Sequence, residues 1–504
     1  MKAEVLIVGA GPTGLALALA LHKQKIPFRI IEKNSGPGTA SRAMIVHGRI
    51  LEHYRQMGFA EMIIEQGNKV EDVQIFMDGN LKAKMHIGDI GENLSRFPYI
   101  LSLPQDIHEE ILVRVLKERG VEVEWNTQLM SFKESDHHVQ VVIEKEGITE
   151  ENNFVFLCGC DGAHSSVRKN LGFQFEGGTY AQIFYVADVK SSIPSPGISG
   201  NMFREGFCLT IPLPNGNVRL IGIFPEEVVK DGIPSELAPV IPFIEKNVGI
   251  KIEQVNWYSP YKVHHRISDH FRKGRIFLAG DAGHIHSPAG GQGMNTGIGD
   301  AVNLGWKLAA VMLEKADEKI LDTYETERMA FAKMLISTTD RAFNSVVGKG
   351  VETRLFKNAV IPYALPRLIA FPRLRKKLYK KVSQTDIKYR DSILSEGQIG
   401  QIHGGDRLPW VTTENSDNHE PLKSMDWQFH IYGQDLPELR AIAESSAIPL
   451  YVFKWKKEMD AVGIKENSIM LIRPDGHIAL AITNRELVKA QKYLDEFKIY
   501  SINS

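Results

Sequence analysis

From Val5 to Leu21 the chain carries no charged side chain, and Gly9, Gly11, Pro12 and Gly14 break that apolar run near its middle. A membrane span or secretory leader is disfavoured, because Glu4 stands directly before the run and no basic n-region leads into it. The pattern predicts a buried strand at Val5–Val8, a glycine turn, a helix from Thr13 to Lys23 and a second strand at Phe28–Ile31. That is the start of a βαβ unit. Within Gly9-Ala10-Gly11-Pro12-Thr13-Gly14 the first glycine permits the tight turn, the second lets backbone approach a pyrophosphate, and the third lets helix and strand pack closely. The N–H groups opening the helix then face the phosphates. Glu32 follows the second strand, where a carboxylate accepts hydrogen bonds from an adenosine ribose. The motif alone does not separate FAD from NAD.

Two later segments extend this reading. In Cys160-Asp161-Gly162-Ala163-His164-Ser165-Ser166-Val167-Arg168, after the apolar run Phe154 to Leu157, Ser165 or Ser166 reads well as a helix cap. A cap does not explain Asp161 together with Arg168. The third segment is Gly280-Asp281-Ala282-Gly283-His284, followed by Ser287-Pro288-Ala289-Gly290-Gly291-Gln292-Gly293-Met294-Asn295 and a helix from about Thr296 to Leu313. Asp281 leaves the strand Ile276 to Ala279 at its carboxyl end, where α/β sheets bind ligands, and is placed to accept from ribityl hydroxyls. The loop brings bare backbone against a flat ring, and the helix start favours negative charge on the N1–C2 side of a reduced flavin. His284 and His286 lack the carboxylate or cysteine set of a metal site and are read as structural or pocket-lining.

Composition narrows the class. With 60 basic and 61 acidic side chains the net charge is -1, so no overall field attracts nucleic acid. Cys158, Cys160 and Cys208 are too few for a disulfide framework, which fits a reducing, cytoplasmic setting. No second pair accompanies Cys158 and Cys160, so they are read as buried thiols rather than metal ligands.

The chain as a whole reads as α/β, with a mostly antiparallel sheet inserted into a discontinuous dinucleotide domain. Helices are expected from His47 to Met57 and from Gln105 to Glu118, and Pro214-Asn215-Gly216-Asn217 marks a hairpin between Leu209–Leu213 and Val218–Ile223. The expected units are 1–180 with 265–345, the sheet at 181–264 with part of 70–100, a helical connector at 346–395 and a C-terminal unit at 396–504. Strands are expected in that last unit at Pro449–Phe453, Ile469–Ile472 and His477–Ile482. Between Pro362 and Lys381 lies a basic run with Arg367, Arg373, Arg375, Lys376, Lys377, Lys380 and Lys381. A membrane-surface helix is one reading. The favoured one is a face satisfied by acidic neighbours and solvent at a domain junction.

The three motifs, in this order over the first 310 residues, resemble the GxGxxG, DG and GD signatures of the single-component FAD-dependent aromatic hydroxylases. Ser41-Arg42-Ala43 and Pro104-Gln105 also match. Gly405-Asp406-Arg407-Leu408-Pro409 and Arg473-Pro474-Asp475-Gly476-His477 are similar to the thioredoxin-like C-terminal domain of the phenol hydroxylase branch, which includes hydroxyphenylpropionate hydroxylases. No Cys-x-x-Cys stands in the tail, so it is expected to be structural or to make homodimer contacts.

The resemblance implies a Rossmann-like FAD-binding fold in which Gly9, Gly11, Pro12, Thr13, Gly14, Glu32, Lys33, Arg42, Gln105, Asp161 and Asp281 contact FAD, with Leu129 near the adenine. Pro288 and the stretch Gly291, Gly293, Met294 and Asn295 would face the isoalloxazine. Many relatives have two prolines where this chain has Ser287-Pro288, which alters the pocket wall. Hydride from NADPH or NADH would reduce FAD, O2 would give a C4a-hydroperoxide, and its distal oxygen would attack a phenolic or polycyclic aromatic substrate. With only one dinucleotide fingerprint, nicotinamide binding is expected to be transient. No side-chain nucleophile is required, and Arg42 is the one candidate for a catalytic side chain.

Two rivals remain at this stage. One is an FAD-dependent oxidase or reductase without oxygen insertion. The other is a nucleotide-sensing binding protein, which the glycine-rich loop after Asp281 argues against. For the substrate, Met202, Phe203, Leu209 and Thr210 are candidates on the inserted sheet, although core packing is the favoured reading there. Pro288 is a further candidate, and Arg204 and Arg219 are candidates to read a carboxylate.

Overall fold

The computed structural model describes residues 3–38, 43–191, 197–203, 206–213, 216–230, 232–347, 360, 361, 363, 364, 367, 370–414 and 416–500. In chain order the first helices are α1 (Pro12–Lys23), α2 (Gly48–Met57), α3 (Ala60–Gln66), α4 (Gln105–Glu118), α5 (Ser166–Leu171), α6 (Ile241–Val248), α7 (Gly293–Met312) and α8 (Asp322–Val347).

The charge-free opening folds as its alternation of leucine and alanine demands. Residues Gly14 to Leu21 of α1 are all buried, so the helix is enclosed on every side rather than amphipathic. It can be enclosed because α7 supplies small residues at the crossing. A Cβ on Gly305 would stand 2.9 Å from the Ala20 Cβ, and one on Gly297 would stand 2.3 Å from Thr13 Oγ1. Beside α1 lies a five-stranded sheet in the order Arg272–Lys273, Ile276–Leu278, Phe156–Gly159, Val5–Val8, Phe28–Ile31. Its last four strands run parallel, and only the short edge strand Arg272–Lys273 is antiparallel. One face is covered by α1, α2, α4 and α7, and the other by a three-stranded sheet from Thr127 to Phe154.

The inserted sheet is larger than the sequence suggests. Among the described residues it has eight strands, ordered His284–Ile285, Ile252–Ser268, Phe175–Ser191, Asn217–Ile223, Gly206–Pro212, Ile198–Phe203, Asp72–Met77, Asn80–His86. All pairs are antiparallel except Ile198–Phe203 with Asp72–Met77. The hairpin joins Gly206–Pro212 to Asn217–Ile223; Pro214 and Asn215 of its turn lie outside the described residues.

In the C-terminal unit, Gln428–Tyr432 and Leu450–Phe453 pair in parallel across the helix Pro437–Ser445. Ser468–Ile472 and Ile478–Ile482 follow as an antiparallel pair, and the helix Leu487–Phe497 closes the unit. Trp306 and Ala310 of α7 share its hydrophobic cluster, with Trp306 edge-on to Trp427 at 5.6 Å. Among the described residues no helix is long and apolar enough to cross a membrane.

Candidate cofactor and substrate site

Strand order brings the three motifs together. Val8 is in register with Gly159, and Gly159 with Leu278, so Gly9, Cys160 and Ala279 leave three neighbouring parallel strands at one end of the sheet. That end is where open α/β sheets place ligands. Gly9 adopts φ +105°, and a Cβ there would meet the Cys160 carbonyl oxygen at 2.4 Å. A Cβ on Gly14 would meet the Gly9 oxygen at 1.9 Å, so both positions are closed to other residues by backbone. Gly11 differs: nothing lies within 4 Å of its added Cβ, and open space stands before it.

Two helices begin around this space without a side-chain cap. Gly11, before α1, has no side chain to cap it, and the Gln292 side chain, before α7, accepts from no helix N–H. Their first-turn N–H groups are therefore left for a ligand or water. Across the glycine turn, Glu32 accepts from the Ala10 N–H at 3.0 Å, and its other oxygen accepts from the Asn34 N–H at 3.0 Å. A backbone approach of this kind, with anion-seeking helix starts and a carboxylate opposite, fits an FAD pyrophosphate and ribose.

The second motif is largely a capping device, which accounts for the two residues that sequence reasoning left unexplained. Asp161 Oδ2 accepts from the Ser166 N–H at 2.7 Å and the Val167 N–H at 3.2 Å, while Ser165 Oγ accepts from the Arg168 N–H at 2.9 Å. Arg168 donates to the Ala282 carbonyl at 2.6 Å and thereby ties this motif to the third. Asp161 Oδ1 is buried and has no hydrogen-bond partner, so one acceptor remains for a ligand.

The third motif is held from behind by Asp300 of α7, a fully buried residue that sequence reasoning missed. Its carboxylate accepts from the Gly280 N–H at 3.0 Å and from Arg328 Nε at 2.5 Å, and lies 2.6 Å from His284 Nε2. Burial raises the Asp300 carboxyl, and Arg328 and His284 more than offset it, holding the group below its ordinary range. An acid inside an otherwise apolar helix pattern was the available signal, since such a residue needs a partner.

The remaining candidates divide. Arg42 and Arg204 lie outside the described residues. Gln105 accepts from the Ala43 N–H at 3.2 Å and donates to Glu109 at 2.8 Å, and Glu109 accepts from the Gly38 N–H at 2.9 Å, so this pair secures both sides of the Arg42 segment. Lys33, Asp281 and Pro288 are exposed, whereas Leu129 packs in the core beside Val8 and Ile31. The helix begins at Gly293, three residues before the expected start, because Asn295 anchors its first turn. Its side chain donates to the Ile45 and Gly291 carbonyls at 2.8 Å and accepts from the His47 N–H at 2.8 Å. Met294 turns its sulfur to His108 at 3.2 Å. The side chains of Asn295 and Met294 are thus engaged within the protein. Gly291 has φ +63°, and a Cβ there would stand 2.9 Å from the Ile45 Cβ.

On the inserted sheet, Met202 and Phe203 point to opposite faces, as successive strand residues must. Met202 and Leu209 pack with Phe184, Phe207 and Phe343. Phe203 packs with Tyr185 and Leu220 on the far face and meets Phe243 at 4.9 Å; Thr210, one residue from Leu209, is buried on that far side too. Phe203 and Thr210 thus sit in core packing, the reading the sequence favoured for these positions. Arg219 is 1% exposed and makes a two-pronged bond to Asp188 at 2.6 and 2.7 Å, so it is a strand-pairing residue and not a carboxylate reader.

The apolar face also carries a polar end. Tyr180 donates to Asp340 of α8, with the ring of Phe343 at 4.5 Å and that of His265 at 5.0 Å. His286 lies nearby on the loop after Asp281; burial lowers it to about 4, and its Nε2 has no hydrogen-bond partner. That loop joins the sheet through Arg266–Ile285 and Ile267–His284, so one segment connects the glycine-built space to the aromatic face.

A parallel sheet with a glycine turn, a second antiparallel sheet and a loop bridging them defines a flavin-nucleotide enzyme. The chain belongs to the FAD binding domain family, whose model matches residues 2–339. It is similar to the 6-methylpretetramide 4-monooxygenase of Streptomyces rimosus, 31% identical over 94% of this chain and 90% of the relative. It is also similar to the pentachlorophenol 4-monooxygenase of Sphingobium chlorophenolicum, 29% identical over 81% of this chain and 75% of that protein. Among solved structures, the anhydrotetracycline hydroxylase OxyS from Streptomyces rimosus superposes with a TM-score of 0.79 at 26% identity, over 99% of both chains. This protein is an FAD-dependent monooxygenase.

Proposed function

We propose that this protein hydroxylates a phenolic or polycyclic aromatic compound with O2, using NADPH or NADH as a transient reductant. The open space before Gly11, linked by the loop after Asp281 to the aromatic face of Phe184, Phe207 and Phe343, is the observation that carries the reading. In it, Gly9, Gly11, Pro12, Thr13 and Gly14 approach the pyrophosphate with backbone, Glu32 and Lys33 stand on the adenosine side with Leu129 behind, and Gln105, Arg42, Asp161 and Asp281 hold the rest of the dinucleotide. Pro288 and the backbone of Gly291, Gly293, Met294 and Asn295 face the flavin ring. Bound FAD supplies electron transfer and oxygen activation. The chain supplies orientation and dryness: Met202 and Leu209 extend the apolar wall that excludes water, and the Tyr180 hydroxyl, held by Asp340, orients a substrate hydroxyl.

The expected domain division follows, with the sheet boundary moved out to Phe175 and Ser268. The C-terminal unit is read as thioredoxin-like, of the phenol hydroxylase branch; its parallel βαβ followed by an antiparallel pair and a helix supports this. It holds no cysteine, which supports a structural role. The buried free cysteines fit a reducing, cytoplasmic location. Sedimentation equilibrium tests the homodimer.

The deciding experiment is a screen of phenols, hydroxybenzoates and polycyclic aromatics for stimulated NADPH and NADH oxidation by the purified yellow protein, with 18O2 and product mass. A product carrying one labelled oxygen supports the reading. Stimulated oxidation without label in any product assigns an oxidase or reductase instead.

A further inference from the structure

We propose that the outward face of the helix Pro372–Val382 docks this protein on an anionic phospholipid surface. The helix has eleven residues, six of them cationic and none acidic. At 100° per residue, Arg373, Lys376, Lys377, Lys380 and Lys381 fall on one arc, while Leu378, Tyr379 and Val382 fall on the opposite one. Burial follows that division: the five cations are exposed, and Tyr379 is 1% exposed with its hydroxyl donating to the Phe97 carbonyl at 2.5 Å. The sequence favoured solvent and acidic neighbours at a domain junction to satisfy this face. Arg375 pairs with Asp89 at 3.3 Å and Lys380 has Asp386 as a charged neighbour, but among the described residues the five cations of the arc make no ion pair.

An unpaired cationic arc attracts any polyanion, and its surroundings select among them. Phe371, which precedes the helix, is 61% exposed and Leu374 in its first turn 43%, so large apolar side chains stand in solvent beside the charge. Cations beside bare aromatic and leucine side chains match a headgroup layer over acyl chains, which rewards both. A duplex nucleic acid rewards only the first. The inner side of the same helix, Leu378 and Tyr379, packs in the cluster that contains Phe184, Phe207 and Phe343. Docking through its outer side therefore sets that aromatic layer one helix away from the lipid. The inference stands on the helix alone and does not depend on the hydroxylation reading.

The test is flotation of the full-length, FAD-loaded protein with vesicles of phosphatidylcholine alone and of phosphatidylcholine mixed with phosphatidylglycerol. Binding to the mixed vesicles only, falling as salt rises, is expected. The triple variant Arg373→Glu, Lys376→Glu, Lys377→Glu should lose roughly a hundredfold in vesicle affinity. Phe371→Ala with Leu374→Ala should weaken binding severalfold while leaving its salt dependence in place. Flavin content and thermal unfolding equal to those of the parent verify that both variants are folded. No flotation, equal flotation with phosphatidylcholine alone, or an unaffected charge-reversal variant overturns the proposal. So does binding of soluble polyaspartate as tightly as vesicles, which assigns the face to an acidic protein.

Discussion

The motif end of the parallel sheet and the junction with the C-terminal unit are both built from polar groups, yet they are organised in opposite ways. At the motif end, glycine backbone, two uncapped helix starts and an unpartnered Asp161 oxygen leave polar capacity unspent. At the junction nearly every charge is consumed. Glu327 accepts from Arg473 at 2.7 and 2.9 Å, Lys307 at 2.9 Å, Asn303 at 2.7 Å and Ser392 at 2.7 Å. Asp475 accepts from Arg473 at 2.6 Å and Trp306 at 3.1 Å, and Glu52 joins Arg49 to Arg407. One region is prepared for a molecule still to come, and the other is a closed set of partners that fixes two units of the same chain. Burial of polar groups alone therefore does not mark a site, and neither does a single unpartnered atom, since His477 Nε2 and Trp427 Nε1 also lack partners; exposed backbone and uncapped helix starts together do.

The largest effect expected is at the closed region. Glu327→Gln removes the anion shared by Lys307 and Arg473, leaving Lys307 buried without a carboxylate and Arg473 with Asp475 alone, which should cost about 3–5 kcal/mol in denaturant unfolding. A loss below about 1 kcal/mol would mean that water reaches these charges and that the contrast between the regions is false.

Acid should act on both regions. Burial lowers His47 on the motif side to about 4, and in the junction it lowers His53 to about 3, and His419 and His477 to about 4. Their folded values lie below the unfolded value near 6.5, so the unfolded chain binds protons first. Stability is full above about pH 6.5 and falls as pH drops toward 4, by about 1.4 kcal/mol per pH unit for each histidine that stays neutral. Thermal unfolding from pH 8 to 5 checks this, and His47→Gln should make the acid limb shallower.

Gly11→Ala sharpens the comparison most directly. Because its Cβ enters open space, unfolding of the apoprotein should change by no more than about 0.5 kcal/mol, while FAD affinity falls about tenfold or more in fluorescence titration. Gly14→Ala should damage both, since its Cβ meets backbone. Equal FAD affinity in Gly11→Ala would place the pyrophosphate elsewhere. The smallest effect belongs to the rim of the junction: Arg390→Ala breaks a two-pronged bond to Asp406 at 2.7 Å, but Arg390 is 37% exposed, and a loss under about 1 kcal/mol is expected.

What was legible in the sequence was what has a local period or a local turn. The strands Val5–Val8 and Phe28–Ile31 and the helix Gln105–Glu118 fall where alternation and glycine placed them, because apolar spacing encodes which face is buried. The three motifs were legible as separate signals, but their adjacency is a property of strand order. Asp300, Arg328, Glu327 and Arg473 were invisible as a set, since a charge on a helix looks solvated until its partner from a distant segment is known. Met202, Phe203, Leu209 and Thr210 could not be divided for a related reason: neighbours on a strand cannot share a face, and the register of the sheet decides which of them faces the aromatic layer.

Thr13 is wedged between Gly280 and Gly297, its hydroxyl 2.4 and 2.3 Å from where their Cβ atoms would be. Position 13 and, hundreds of residues further on, positions 280 and 297 are therefore constrained as one unit when genes are recombined. A chimera with its crossover anywhere between residues 14 and 279 inherits the wedge from one parent and both notches from the other. Parents that keep small residues at all three positions should yield folded hybrids, and a donor residue larger than glycine at position 280 or 297 should be tolerated only if a smaller residue at position 13 travels with it.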